Sequence, residues 1–269
     1  MTVPEPAHRT RNVRLAVASA FALYLTVSWL CAVVTHEGRE MQQLSPVFAS
    51  LDAVQRPPKW TDGMTFLLAS NDSVPYTDRS RVIMLVRLSS DRTTAIVVSI
   101  PPDNWVAVPG HGVAKMSSVS ALGGPSLMVR TVETLTGVRV DHFAMIDLVG
   151  FRALAQVVGG IDEVDPSIAD PVDRQQEALR ALISKVISSG VLSSPRQARD
   201  FARTVSRYVE VDDILTTDAL QSLAFGLRKL DPSAVTFVTA PISDGTRADQ
   251  LWEALRRNEI HHYLESTPR

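Results

Sequence analysis

The sequence has a single cysteine among 269 residues, which excludes an intrachain disulfide framework and any multi-cysteine metal site. It has no excess of either charge, because 27 basic and 29 acidic residues leave a formal net charge of −2. The composition therefore gives no reason to expect a nucleic-acid partner. Two common nucleophile motifs, Gly-x-Ser-x-Gly and Ser-x-x-Lys, are also missing. With 45% hydrophobic and 21% charged residues, the chain is expected to fold around a sizeable core.

One long stretch lacks charge altogether. Residues 15–35 are 21 consecutive uncharged, mostly apolar residues, and as a helix they would span about 31 Å, the thickness of a bilayer core. Arginines at positions 9, 11 and 14 precede the stretch, so residues 1–14 are predicted to be cytoplasmic. The sequence thus predicts a single-pass protein of the cell membrane with an extracytoplasmic domain. A cleaved signal peptide or a buried core helix are the alternatives, although residues 31–36 make a poor cleavage site.

Short β-branched runs alternate with helical periodicities along the rest of the chain. Strands are predicted at residues 64–70, 81–88, 93–100, 140–148 and 234–240. Helices are predicted at residues 123–136, 149–158, 173–189, 195–206, 216–229 and 247–257. The second and third strands are separated by four polar residues and are expected to form a hairpin or to be neighbours. This alternation predicts a layered α/β domain with helices on both faces of a sheet, over residues 64–258. Residues 36–63 contain three prolines and are interpreted as a stalk, and residues 259–269 as a C-terminal tail.

Charged residues follow the first and third predicted strands. If these strands lie side by side and parallel, Asp72 and Asp103 emerge at one sheet edge, with Arg79 in the loop between. Carboxylates are the ligands that Mg²⁺ prefers, and an arginine can bind a phosphate through two hydrogen bonds. Taken alone, the residues favour the simpler interpretation that they occupy polar loops and cap turns.

Several motifs together resemble the LytR-CpsA-Psr (LCP) family, also called cell envelope-related transcriptional attenuators. They are Ser-Ile-Pro-Pro-Asp at 99–103, Lys115, Gly-Gly-Pro at 123–125, Asp-His-Phe at 141–143, Gly-Gly-Ile-Asp at 159–162 and Asp-Arg-Gln-Gln at 173–176. The resemblance covers roughly residues 64–258 and implies a three-layer αβα sandwich with a mixed central sheet. It further implies an activity outside the bacterial membrane. Family members use Mg²⁺ to transfer polymers such as teichoic acids from a polyprenyl-pyrophosphate carrier to peptidoglycan.

The family's functional residues are only partly retained. Asp72 matches the first metal-binding aspartate, and Arg79 matches the arginine of an Arg-Ser/Thr-Asp motif whose aspartate is replaced by Arg81. Pro102 stands where the family has the arginine of Ser-Ile-Pro-Arg-Asp, while Asp103 is kept. The family's Tyr-x-Arg-x-Arg segment is missing from the interval between residues 163 and 173.

The resemblance implies catalytic roles for Asp72, Arg79 and Asp103, phosphate binding by Arg79, Arg81 and Lys115, and metal binding by Asp72. A cation at position 81 repels a metal, so weak Mg²⁺ binding, if any, is expected. Each lost electrostatic donor typically costs ~10²–10³ in rate, so three losses predict impaired transfer.

Three functions follow as hypotheses for this chain. The leading one is a cell-envelope assembly protein that binds a polyprenyl-linked glycan or an active LCP relative, with catalysis impaired. The second is an active Mg²⁺-dependent transferase acting on peptidoglycan. The third is a regulator or scaffold with no lipid ligand. Nucleic acid is not expected as a partner of any of them.

Overall fold

The computed structural model describes residues 42–43, 46–70, 82–161, 171–189, 195–215, 229–241 and 245–266, together with residues 223 and 227. The predicted membrane span at residues 15–35 and the predicted cytoplasmic residues 1–14 lie outside this described part. None of the helices within it is sufficiently long and apolar to cross a bilayer. The predicted helix at residues 216–229 also falls almost wholly outside the described residues.

Within the described residues, seven strands form the central sheet, and two more form a separate hairpin. The sheet strands are β1 (Gln42–Gln43), β2 (Met64–Ala69), β3 (Ile83–Leu88), β4 (Ala95–Ser99), β7 (His142–Ile146), β8 (Val209–Val211) and β9 (Val235–Thr239). Their order is β1-β8-β7-β2-β3-β4-β9. Strands β2, β4, β7 and β9 run in one direction, whereas β1, β3 and β8 run in the other. The sheet is therefore mixed, as the resemblance implies.

The first and third predicted strands are not neighbours. Strand β3 lies between β2 and β4 and pairs antiparallel with both. Val86 of β3 lies opposite Phe66 of β2 on one side and opposite Val97 of β4 on the other. The expectation of side-by-side pairing is wrong because the short turn after β3 forces β4 to return beside it, whereas a parallel neighbour needs a long crossover. The two strands still point the same way, so their ends share one edge of the sheet, one strand apart.

Helices cover both faces of this sheet. They are α1 (Val119–Thr136), α2 (Leu148–Val157), α3 (Pro171–Ser188), α4 (Pro195–Tyr208), α5 (Gly245–Arg257) and α6 (Ile260–Ser266). On one face, Leu67 and Leu85 of the sheet share a buried cluster with Val129 of α1, Leu251 of α5 and Ile260 of α6. Sheet residues of the opposite parity, which point to the other face, pack with α2, α3 and α4. The alternation arises because successive strand side chains point to opposite faces.

Helix α1 begins one turn earlier than the predicted start at residue 123. A kink at Gly123–Gly124 divides it, and Gly124 has a φ of 65°. Such a conformation is readily adopted only by a residue without a Cβ. Pro125 then opens the longer straight part, where its missing N–H leaves no gap in the helical hydrogen bonds.

Several features of the structure were not predicted from the sequence. The hairpin consists of β5 (Trp105–Val108) and β6 (Gly112–Lys115), with Trp105 opposite Lys115 at its base. The described part of the predicted stalk packs on the domain, because Val47 is buried in the core with the side chains of α1 and the sheet. The predicted C-terminal tail contains α6, which Ile260 anchors in the same core.

Candidate functional site

Four parallel strands end at the same side of the sheet, here called the carboxyl edge. Their last residues are Ala69 of β2, Ser99 of β4, Ile146 of β7 and Thr239 of β9. Ligands of open α/β sheets bind outside the carboxyl ends of the strands, where loops can vary without disturbing the core. The residues that follow these four strands are therefore the first candidates for a site.

Backbone hydrogen bonds join the loop after β4 to β3 and to the residues that follow β6. Ile100 N donates to Ile83 O at 2.8 Å, and Ser117 N donates to the carbonyl oxygen of Pro102 at 2.9 Å. Asn104 closes the turn by donating to Pro101 O at 3.1 Å and accepting from Met116 N at 2.8 Å. Asp103 is exposed at the carboxyl edge, whereas Pro102, the residue before it, is buried.

Asp103 and Lys115 form an ion pair at the carboxyl edge. Lys115 Nζ lies 3.2 Å from Asp103 Oδ1, and both side chains are about half exposed. The pair forms because Lys115 is the last residue of β6, at the base of the hairpin that begins just after Asp103. An exposed pair of this kind contributes ~0–1 kcal/mol, so a ligand phosphate can take over Lys115 at little cost.

Helix α3 reaches the same edge through Gln176. Its Nε2 donates to Ser99 Oγ at 3.0 Å and to Thr239 Oγ1 at 2.7 Å, so one amide joins the ends of β4 and β9. Arg174 is exposed on the first turn of this helix. Gln176 was not assigned to the site from the sequence, although the Asp-Arg-Gln-Gln motif of the resemblance contains it.

Asp147 follows β7 at this edge but has a structural role. Its Oδ1 accepts a hydrogen bond from Gly150 N at 2.6 Å and caps the N-terminus of α2. A carboxylate in this position satisfies a helix N–H group that otherwise lacks a partner. Asp147 therefore explains how α2 begins and adds no ligand to the site.

The remaining predicted site residues are Asp72, Arg79 and Arg81, and all three lie outside the described residues. In the part of the chain that the structure describes, His, Cys, Asp and Glu side chains form no group of three that could hold a metal ion. The Asp103 carboxylate is already paired with a lysine. Mg²⁺ requires several oxygen ligands, so a magnesium site at this edge would need carboxylates besides Asp103, of which the predicted one, Asp72, lies outside the described residues.

Arg87 is a buried cation that belongs to the core and not to the site. It lies on β3 and donates to Leu255 O and to Thr61 Oγ1. Burial lowers the pKa of the Arg87 guanidinium, and the nearby Asp141 carboxylate opposes that shift. The side chain thus ties the end of α5 and the segment before β2 to the sheet, away from the carboxyl edge.

The sequence matches the LytR_cpsA_psr family profile over residues 33–170, slightly more than half of the chain. The chain belongs to the LytR-CpsA-Psr family. The match includes the loop after β4, the hairpin and α1, and so covers both Asp103 and Lys115.

Relatives of this LytR-CpsA-Psr chain include two curated bacterial proteins. The cell wall biosynthesis protein LcpA of Corynebacterium glutamicum is 26% identical over 233 residues, covering 63% of this chain and 44% of LcpA. The polyisoprenyl-teichoic acid–peptidoglycan teichoic acid transferase TagT of Bacillus subtilis is 27% identical over 163 residues, covering 52% of this chain and 51% of TagT. The chain thus spans about half or less of these relatives.

The fold of this LytR-CpsA-Psr chain also matches a solved structure, TagT bound to LIIa-WTA. The match has a TM-score of 0.60 at 20% identity and covers 81% of this chain and all of the other. At this identity the likeness concerns the fold. It agrees with the mixed α/β architecture and the mixed central sheet described above.

Proposed function

We propose that this protein serves bacterial cell-envelope assembly by binding a polyprenyl-phosphate-linked glycan at the carboxyl edge, with phosphoryl transfer impaired. Residues 15–35 anchor it in the cell membrane, with residues 1–14 in the cytoplasm and the domain outside. The relatives support the substrate class, because one is a cell wall biosynthesis protein and another transfers teichoic acid from a polyisoprenyl carrier.

One observation supports the proposed impairment of transfer activity. The loop after β4 has Pro102 where the family motif has an arginine, directly before Asp103 in the chain, and the carbonyl oxygen of Pro102 accepts a hydrogen bond from Ser117 N. Transfer of a pyrophosphate-linked group requires donors aimed at the charge that develops on the phosphate oxygens. Proline supplies neither a cation nor an N–H group, so this position contributes nothing to the transition state.

Binding requires less than transfer, and the edge retains groups suited to it. Lys115 is exposed beside Asp103, and Arg174 is exposed on the first turn of α3. A phosphate can be held by such cations in the ground state without the aligned metal that in-line transfer uses. Lys115 belongs to the hairpin, and Arg174 lies two residues before Gln176, whose hydrogen bonds join α3 to the ends of β4 and β9.

An active transferase is the second candidate, and the retention of Asp103 favours it. The carboxylate is exposed, and among the described residues it is paired with Lys115 in a weak surface ion pair, so a ligand or a substrate hydroxyl group can reach it. This candidate requires Asp72 and Arg79 to complete the site from outside the described residues.

A binding and turnover assay on the full chain in detergent or nanodiscs distinguishes the candidates. We expect a polyprenyl-pyrophosphate glycan to bind, Lys115→Met to weaken binding, and no glycan to reach peptidoglycan with Mg²⁺ present. Lys59→Met is the matched control, because Lys59 is a similarly exposed lysine paired with Asp141 at 3.1 Å near the opposite edge.

Each outcome has a distinct meaning. Turnover that Asp72→Asn abolishes would establish the transferase and contradict impaired catalysis. Absence of binding to any polyprenyl phosphate, with the protein folded, would contradict the proposal altogether. Equal loss of binding in the Lys115 and Lys59 variants would place the ligand elsewhere.

A further inference from the structure

The direction of β1 shows where the chain enters the domain. Gln42 and Gln43 pair in parallel with Glu210 and Val211 of β8, and β8 runs antiparallel to β7. Strand β1 therefore runs away from the carboxyl edge, and Gln42 is its residue nearest that edge. The polypeptide that precedes residue 42 consequently joins the domain on the same side as Asp103.

Covalent geometry limits how far this side can be from the apolar stretch at residues 15–35. Six residues, 36–41, separate that stretch from Gln42. Because a chain extends at most ~3.6 Å per residue, they can bridge only about 20–25 Å. If residues 15–35 cross the bilayer, the carboxyl edge is the side of the sheet held near the membrane surface.

An exposed apolar patch lies toward the same edge. Trp105 and Val113 project from the outward face of the hairpin with 64% and 68% of their surfaces exposed, and Leu122 is exposed on the first turn of α1. Trp105, Val113 and Lys115 line one shallow depression of about 450 Å³ together with Ala121, the neighbour of Leu122. A tryptophan with an apolar body and a polar N–H, next to a lysine, has the chemistry of side chains found at membrane interfaces.

We infer that Trp105, Val113 and Leu122 contact the outer surface of the lipid bilayer, with Lys115 at the level of the headgroups. This inference rests on the membrane anchor of the proposed function. It deepens that function, because Lys115 and Asp103 are then at the depth of lipid phosphates. A polyprenyl-linked substrate could present its phosphate to the carboxyl edge while its hydrocarbon tail stays in the bilayer.

The opposite edge provides a matched control surface. Trp60 is also an exposed tryptophan, at 58%, but its Nε1 donates to the carbonyl oxygen of Gly137, which caps the end of α1 distant from Leu122. Exposure and residue type are thus nearly the same for Trp60 and Trp105. Their positions relative to the predicted anchor differ.

The experiment uses the full chain with Cys31→Ser, which removes the only cysteine. Single cysteines are introduced by Val113→Cys, Leu122→Cys or, as the control, Trp60→Cys, and each is labelled with an environment-sensitive fluorophore. The proteins are reconstituted in phosphatidylglycerol and phosphatidylethanolamine vesicles with or without nitroxide-labelled lipid. We expect the nitroxide to quench labels at positions 113 and 122 and to leave the label at position 60 unquenched.

Alkaline carbonate extraction of the same vesicles separates the two ways of failing. Protein that is extracted lacks an integral anchor, which overturns both the anchor and this inference. If the protein stays inserted but the labels at positions 113 and 122 are as unquenched as the label at position 60, the anchor is present. That result overturns the inference alone. In that case a protein partner becomes the explanation for the patch. Quenching at all three positions would also overturn it, because the domain would then have no preferred side.

A second variant tests the contact without a label. In the anchored protein, Trp105→Ser should increase the rate at which a soluble protease cleaves the domain from the vesicles, whereas Trp60→Ser should not. Equal effects of the two substitutions would contradict a bilayer contact at Trp105.

Discussion

Arg56 and Glu133 form a two-pronged ion pair that joins the segment before the sheet to helix α1. Arg56 Nη2 lies 2.7 Å from Glu133 Oε1, and Arg56 Nε lies 3.2 Å from Glu133 Oε2. Their side chains are only 11% and 4% exposed. Glu133 Oε1 also accepts a hydrogen bond from Val140 N at 2.9 Å, so the carboxylate links three separate parts of the chain.

We therefore expect Arg56→Met to lower the free energy of unfolding by about 3–5 kcal/mol, because it leaves a buried carboxylate without its cation. Urea unfolding monitored by circular dichroism measures this change. Arg130→Met is the control: Arg130 is an exposed arginine on the same helix whose Nη2 contacts Gln55 Oε1 at 3.1 Å, and about 0–1 kcal/mol is expected. Equal effects of the two substitutions would show that the pair does not anchor the segment.

The ion pair between Asp103 and Lys115, unlike the buried pair of Arg56 and Glu133, should contribute little to the free energy of unfolding. Because both side chains are about half exposed, Asp103→Asn should change the free energy of unfolding by no more than about 1 kcal/mol. The same substitution should alter affinity for a polyprenyl phosphate, since it releases Lys115 from its carboxylate partner. Isothermal titration measures that affinity, with Asp91→Asn, in the turn at the other end of β4, as control. A large loss of stability would assign Asp103 a structural role.

Gly137 ends α1 in a conformation that side chains disfavour. Its φ is 63°, its N–H donates to Glu133 O, and an added Cβ would lie 2.9 Å from Arg256 Nη1. We expect Gly137→Ala to destabilise the protein by about 1–2 kcal/mol in urea unfolding. Gly245→Ala is the control, because a Cβ there meets no atom within 4 Å and the residue begins α5. A neutral Gly137→Ala variant would contradict strain at the cap.

Acid should remove a stabilising contribution from the turn between β3 and β4. A hydrogen bond from Ser89, followed by bonds from Thr93, lowers the pKa of Asp91 below its usual value of 3.8. Because the pKa is lower in the folded state, the contribution is present above the unfolded-state pKa and is lost as pH falls through the folded-state pKa. Asp91→Asn should therefore lower the urea midpoint at neutral pH and approach the wild-type midpoint in strong acid. If the urea midpoint of Asp91→Asn lies below that of the wild type by the same amount at every pH, the substitution acts through the conformation of the turn and not through the charge of Asp91.

Local sequence patterns predicted most of the regular elements. The runs at residues 64–70 and 93–100 correspond to β2 and β4, since strands with helices on both faces of their sheet carry long apolar runs. The helix predicted at residues 247–257 became α5, whose Leu251 and Leu255 share one buried face at a spacing of four. The family resemblance, based on short motifs, correctly indicated the mixed sheet.

Elements that depend on distant partners were not predicted. Strand β8 has three residues and β1 has two, so neither carries a periodic signal of its own; each exists because a neighbouring strand satisfies its backbone hydrogen bonds. The same reason explains why the sequence did not indicate that β3 lies between β2 and β4.

Sequence alone determined that this chain has an apolar stretch long enough for a membrane, a layered α/β domain and a loop with Pro102 in place of an arginine. These properties are local, because hydropathy, periodicity and residue identity require no partner. Only the tertiary structure decided that Lys115 lies beside Asp103, that Gln176 joins the ends of β4 and β9, and that residue 42 enters at the carboxyl edge. Those relationships depend on strand order and direction, which long-range pairing selects.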